Sequence, residues 1–377
     1  MGKSTENLAR VTRIGLDLAK TVFQVHGVDA KGEVVIARKL RRGTMLEFFG
    51  RLAPCVVAME ACGSAHHWGR QLVTLGHEVK LIPPAHVKPY VRRNKTDAAD
   101  AAAICEAALR PGQRFVALRS IDNQAAVMRH RVREQLVGQR TALLNALRGH
   151  LSEIGVVAAQ GAQHAYRLKR MLANGADENG EIVVPERVRV ALEPLAAQID
   201  ALDQAIAAID DELIETVKAD EKARRLMMIP GVGPVIATAI VATVGEVASF
   251  ASGREFAAFL GLTPRQRSSG GKERLGRITK MGDRYLRKLL VVGATAVLSH
   301  AAGHDDGLRR WAKDMPKRKA GSTKYAFKLT AVALANKLAR IVFAILGFGR
   351  SLQRPPGRGL SEKGLGKEEF RCKAKRR

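Results

Sequence analysis

Four carboxylates in the first hundred residues could do chemistry together. Asp17 sits in the apolar run GLDLAK, Glu60 ends the apolar run CVVAME, and Asp97 and Asp100 stand three residues apart in KTDAADAAAI. The three-residue spacing puts the last two on one face of a helix that begins there. If strand ends and a helix start converge, the four acids form an oxygen-only donor set, which suits Mg²⁺ or Mn²⁺ better than zinc. Such an ion polarises a phosphodiester, activates a nucleophile and neutralises a leaving oxygen. Each acid also has an ordinary reading: Asp97 as a helix N-cap, Asp17 as a hairpin residue. The set is more telling than its members, because Asp17 and Glu60 interrupt apolar strands, where an unpaired carboxylate needs compensation.

Two later segments add chemistry of another kind. In IPGVGPVIA, Gly231 and Gly233 resemble the turn of a helix-hairpin-helix, where backbone N–H groups meet a phosphate at a helix N-terminus. A plain helix-start turn fits the same letters. In RQRSSGGKERLGRITKMGDRYLR, Ser268 and Ser269 precede Gly270 and Gly271 amid arginines and lysines. The glycines permit a tight, exposed turn. The cations lower the cost of an alkoxide and stabilise a pentacoordinate phosphate. On composition alone the simpler reading is a phosphate-clamping loop whose serines only hydrogen-bond.

The elements that must position these residues follow from hydrophobic period. RIGLDLA, TVFQVHGV and EVVIARKL read as three strands joined by tight hairpins. A helix at TMLEFFGRL, a strand at CVVAME, a helix around HHWGRQLVTLG, a strand at HEVKLIP and a helix at DAADAAAICEAAL come next. Three antiparallel strands followed by alternating helices and strands predict a mixed α/β sheet, with the element order of a ribonuclease-H-like domain. After about residue 120 the strand patterns stop. NQAAVMRHRVREQLVGQRTALLNALRGHL and PLAAQIDALDQAIAAIDDELIETV predict long helices, the second with Leu195, Ile199, Leu202, Ile206, Ile209 and Leu213 on one stripe. An antiparallel helical hairpin or coiled coil is the natural arrangement, and a plain helical core fits the pattern equally. A third, mainly helical region opens near Glu221 and ends in an apolar helix around 323–346. The tail from 348 to 377, rich in Pro, Gly, Arg and Lys, is expected to be disordered.

The chain has 377 residues and a formal net charge of +27. That length accommodates two or three domains, and 46% hydrophobic residues exclude a wholly disordered chain. The charge points to a polyanion, nucleic acid before an acidic membrane surface. Cys55, Cys62, Cys105 and Cys372 form no CxxC pair or Cys/His ladder, which argues against a zinc site or disulfide framework. The polar start MGKSTENLAR lacks a signal-peptide core, and KLTAVALANKLARIVFAILGFG is broken by Lys337 and Arg340. A soluble, cytoplasmic, nucleoid-associated protein with no membrane partner is expected.

In this order, GLDLAK, AMEACGSAHHWGR, KTDAADAAAI, IPGVGPVIATAI and GLTPRQRSSGGKERLGRITKMGDRYLRKLL resemble the DEDD-type transposases of the insertion sequence 110 family, over nearly the whole chain apart from the tail. The resemblance implies a RuvC-like domain at 1–118, a coiled-coil middle at 119–220 and a C-terminal transposase domain at 221–347. It implies divalent metal on Asp17, Glu60, Asp97 and Asp100. It also implies a serine nucleophile five residues past the proline of GLTP, which from Pro264 gives Ser269, with Ser268 as its rival. An RNA from the element's non-coding end, pairing with donor and target DNA, is implied as well. On this reading Ser269 forms a covalent phosphoserine, while Lys272, Arg274, Arg277, Lys280 and Arg284 position the phosphate backbone. The site is expected to be composite, in a homo-oligomer (dimer or tetramer) joined through the helical stripe. Two rivals remain: a RuvC-type junction nuclease without a covalent intermediate, and a non-enzymatic basic protein on a degenerate nuclease fold.

Overall fold

The computed structural model describes residues 8–91, 96–177, 179–245, 247–272, 274–301, 306–315 and 323–348. The basic tail beyond residue 348 lies outside them. The chain divides into two compact units, Met1–Gln124 and Ala125–Arg377.

In the first unit, alternating apolar residues make β1 (Arg13–Asp17), β2 (Val22–Val28) and β3 (Val34–Arg41), an antiparallel meander. The β2–β3 turn is held by Asp29, whose carboxylate accepts the N–H groups of Lys31 and Glu33 at 2.9 and 3.0 Å. Two further strands, β4 (Val56–Glu60) and β5 (Glu78–Ile82), extend the sheet in parallel, giving the order β3-β2-β1-β4-β5. A parallel pair needs a crossover, supplied here by α2 (Ala65–Thr74). One sheet face buries Ile14, Leu16, Phe23 and Val25 with Phe49 of α1 (Met45–Gly50) and Trp68 and Leu72 of α2. This mixed α/β sheet is compatible with the expected ribonuclease-H-like order.

The other face is covered by α3 (Asp97–Ala107), whose Ala103, Ile104 and Ala107 pack on Ala58 and Ile82. Its approach is unusually close. A Cβ added to Gly15 would lie 2.1 Å from the carbonyl oxygen of Ala101 and 2.6 Å from the amide nitrogen of Cys105. The helix starts at Thr96, whose hydroxyl caps the N–H of Ala99 at 3.2 Å.

The second unit opens with two long helices, α4 (Ile121–Glu153) and α6 (Glu186–Ala219), with α5 (Ala162–Asn174) between them in sequence. Ion pairs Arg129–Glu212 (2.9 Å), Arg133–Asp210 (2.5 Å) and Arg140–Asp203 (2.9 Å) descend on α6 as they climb α4, so the helices run antiparallel. The expected helical hairpin forms. On α6, Leu192, Ile199, Ile206 and Leu213 are buried at seven-residue intervals. Burial on α4 is confined to Val127 and His130 near one end and Leu144, Leu147 and Leu151 near the other. Between these groups α4 carries the half-buried Leu136 and Val137 together with the ion-pairing Arg133 and Arg140.

The remaining helices are α7 (Glu221–Met227), α8 (Pro234–Val244), α9 (Gly253–Phe259), α10 (Arg284–Ser299), α11 (Gly307–Asp314) and α12 (Thr323–Phe348). Side chains of Asp220, Ser252, Asp283 and Asp306 cap α7, α9, α10 and α11. By length and composition α12 could cross a membrane, yet Leu334, Leu338 and Val342 are fully buried with Phe256 of α9 and Leu286 of α10. It reads as the core helix of this unit, with the Lys337 ammonium 4.3 Å above the Trp311 ring. Val217 of α6 joins the same cluster, whereas Leu192 and Ile199 join the one around α5.

His130 is buried, with its Nδ1 3.3 Å from the Tyr285 hydroxyl oxygen and its Nε2 unpartnered. Burial, reinforced by Arg133 and Arg129, holds its pKa down at about 4. The unfolded chain therefore takes up this proton near pH 6.5 while the folded chain does not, and stability falls as pH drops from 6.5 towards 4. Thermal melts at pH 7, 5.5 and 4.5 should show a smaller loss of Tm for His130→Phe than for the wild type. Gly15→Ala forces α3 away from β1 and should lower stability by about 1–3 kcal/mol or more, read from denaturant unfolding.

Candidate active site

Asp17 ends β1 and Glu60 ends β4. Leu16 pairs with Met59 in the parallel register, so the two acids are the next step on adjacent strands at the same edge of the sheet. Asp97 and Asp100 occupy the first turn of α3, whose backbone rests on Gly15 two residues before Asp17. Asp17, Glu60 and Asp100 are half-buried and Asp97 is exposed. Burial, then the charges of Asp100, Asp97 and Glu60, push Asp17 above the usual carboxylate value, against a backbone hydrogen bond from Leu18. All four acids predicted from sequence thus lie within electrostatic reach of one another.

Their donors are hard oxygens, the type a divalent cation of the Mg²⁺ kind takes. As placed, no three Asp, Glu, His or Cys side chains among the described residues come close enough to enclose an ion. The donor chemistry of the four acids fits such a cation. Opposite Asp17 in the β1–β2 pairing stands Gln24, buried, with its Oε1 unpartnered.

The serines lie in the second unit, on a ribbon of β6 (Pro264–Gln266) and β7 (Leu275–Ile278). Its tip is Ser269-Gly270-Gly271-Lys272, with φ of 57° and 73° at the glycines. The Lys272 N–H donates to the Ser269 carbonyl at 3.2 Å. Positive φ at both central residues is the geometry of a type I′ turn, which glycine adopts without strain. Ser268 and Ser269 are not equivalent. The Ser268 hydroxyl accepts the Arg274 N–H at 3.1 Å and so ties the two arms together. Ser269 is exposed at the tip, and its hydroxyl makes no hydrogen bond among the described residues.

Below the tip an open cavity of about 510 Å³ is lined by Arg265, Arg267, Arg274, Arg277 and Lys280. Among the described residues no carboxylate pairs with any of them. Lys272 sits at the tip, and Arg284 is exposed at the first position of α10. Arg265 and Arg267 were absent from the cations singled out above; their signal was the R-Q-R alternation of a strand leading into the serines. The base of the ribbon is fixed by close contacts: a Cβ on Gly261 would meet the Met281 carbonyl oxygen at 2.2 Å, and one on Gly282 would meet that of Phe259 at 1.8 Å. Between them Lys280 takes a φ of 57°, the one left-handed non-glycine residue among those described.

The glycines of IPGVG have different tasks. Gly231 has a φ of 84°, and a Cβ there would lie 2.6 Å from the carbonyl oxygen of Gly293 on α10. Glycine is required at that point by helix packing. Gly233 opens on free space just before α8, which starts at Pro234.

Comparison with known proteins follows the same two blocks. Residues 14–156 match a DEDD transposase family of the IS110 kind, and residues 223–308 match the Transposase IS116/IS110/IS902 family. A probable family 20 transposase of Pseudomonas aeruginosa is 46% identical over 89% of this chain and 97% of its own length. The transposase for insertion sequence element IS1111A of Coxiella burnetii is 39% identical, covering 91% of this chain and 92% of its own. That for IS1328 of Yersinia enterocolitica is 37% identical, over 90% and 97%. With its acids at one edge of an α/β sheet and its serines on a cationic ribbon, the chain belongs to the IS110 family of DNA transposases.

Proposed function

We propose that this transposase breaks and rejoins DNA strands through a covalent phosphoserine at Ser269, with Mg²⁺ held by Asp17, Glu60, Asp97 and Asp100. The observation that carries the reading is the asymmetry of the serines. Ser268 is consumed by the hairpin, while Ser269 offers an unengaged hydroxyl at a tip flanked by cations. Ser269 Oγ attacks the phosphorus, its proton passes to solvent, and the phosphorus–oxygen bond to one strand end breaks. That end leaves as a hydroxyl. Attack by the hydroxyl of another strand end on the phosphoserine reverses the step and frees Ser269. The phosphoester bond is conserved throughout, so no external energy source is needed.

When bound, the cation neutralises charge on the phosphate and leaving oxygens. Lys272, Arg274, Arg277, Lys280 and Arg284, with Arg265 and Arg267, hold the backbone charge to charge. Gly233 at the start of α8 gives a further backbone contact of the helix-hairpin-helix type. An element-encoded guide RNA pairing with donor and target DNA belongs to this reading, and the net charge of +27 permits it. The half-buried Leu195, Leu202 and Ile209 on α6 support homo-oligomerisation through the helical pair. The reaction is placed on the nucleoid.

Incubation with element-end DNA followed by denaturing electrophoresis should reveal a protein–DNA species in the wild type and Ser268→Ala, and none in Ser269→Ala. An undiminished species in Ser269→Ala sinks the assignment, and cleavage without any such species favours the junction-nuclease chemistry instead. The metal reading makes a separate demand. Asp17 is held above its ordinary pKa, so the stability of the metal-free protein is lost as pH rises through the folded value. In EDTA at pH 7, Asp17→Asn should therefore melt at a higher temperature than the wild type. In Mg²⁺ it should lack the wild type's metal-dependent rise in Tm.

A further inference from the structure

We propose that Gln24 belongs to the acid site, its side-chain oxygen accepting a hydrogen bond from the hydration shell of the divalent cation. This rests on the metal reading above and extends it to a residue on a strand without acids at the site.

The placement follows from sheet register. Gln24 pairs with Asp17 across β1 and β2, and directly paired residues share a face. Its neighbours Phe23 and Val25 fall in the cluster with Ile14 and Leu16 on the opposite face. Gln24, Asp17 and Glu60 therefore form a row across β2, β1 and β4 on the face that α3 covers.

The energetics ask for a ligand. Gln24 is 6% exposed, and its Oε1 has no hydrogen-bond partner. An unsatisfied buried acceptor is destabilising, and an apolar side chain of similar volume would remove the penalty. Its pairing partner on β3, Lys39, is exposed and makes no hydrogen bond to it. A hydrated divalent cation among the carboxylates answers both problems. It screens the acids, and because Mg²⁺ keeps several of its waters, it brings O–H donors to an otherwise idle acceptor. An amide is the suitable group here: it accepts a hydrogen bond without adding a fifth negative charge. Gln24 is thus a positioning residue for the ion.

The test uses the full-length protein, calorimetric titration with Mn²⁺, and thermal melts with and without the metal. Gln24→Met should weaken Mn²⁺ binding by about 10-fold to 100-fold, the scale of lost outer-shell partners. In EDTA the same variant should melt at or above the wild-type temperature, because it removes an unpaired polar atom. A merely structural glutamine predicts the reverse: lower Tm in EDTA and unchanged Mn²⁺ affinity, and that pair of results overturns the proposal. Gln24→Glu serves if the Met variant does not fold; it should retain Mn²⁺ binding at a lower metal-free Tm, and loss of binding counts against the proposal. Asp17→Asn separates the two levels. If it abolishes Mn²⁺ binding while Gln24→Met leaves it intact, only the Gln24 assignment falls. If it binds Mn²⁺ as the wild type does, the acid-site reading itself falls.

Discussion

Helix α3 can lie on β1 only because residue 15 has no side chain. That contact of backbone on backbone governs the first unit. It brings the helix start, with Asp97 and Asp100, over the strand end that carries Asp17, and the parallel β1–β4 pairing adds Glu60. The alanines at 101, 103 and 107 complete the arrangement, since a bulkier helix face would hold α3 farther from the sheet. The outcome is a concentration of negative charge around Asp17, held between apolar clusters on both faces of the sheet.

The second unit solves a different problem. Its ribbon has to expose a hydroxyl while keeping its register, and it does so with side chains of very different size. Two glycines close the tip, one serine bolts the arms together, and two more glycines let the base press on the end of α9. Local strain is concentrated at Lys280, beside the cavity of guanidinium groups. The helical pair is bridged by three ion pairs, Arg129–Glu212, Arg133–Asp210 and Arg140–Asp203.

Much of this was legible in the letters. Asp17 and Glu60 stood out because carboxylates interrupt apolar strands, and Asp97 and Asp100 because their three-residue spacing puts them on one helix face, although the N-cap is Thr96 and not Asp97. The adjacent glycines after Ser269 announced a tight turn. Gln24 was not legible. In VFQVHGV it occupies an alternating polar position, which ordinarily faces solvent; a helix seventy residues further on buries it, and no local pattern encodes that cover. Gly231 carries a second task that the letters do not show, since a glycine packed on another helix reads the same as one freed for a phosphate. The stripe on α6 was legible, whereas the arginines of α4 that pair with Asp203 and Asp210 beside it were not. Arg265 and Arg267 carried only the faint signal of R-Q-R alternation, because the strand there is three residues long and ends before Arg267.

The ribbon has one more consequence. Residues 264–272 are exposed at every position, and Leu275 on the facing arm is 63% exposed. A two-stranded element of this kind is marginal on its own, and the close contacts of Gly261 and Gly282 at its base are what hold it. Little apolar area is available for removal from water there, which means that association at this surface draws on released counterions and carries a small heat-capacity change. Its grip on a nucleic acid is therefore a property of the salt around it as much as of its own residues.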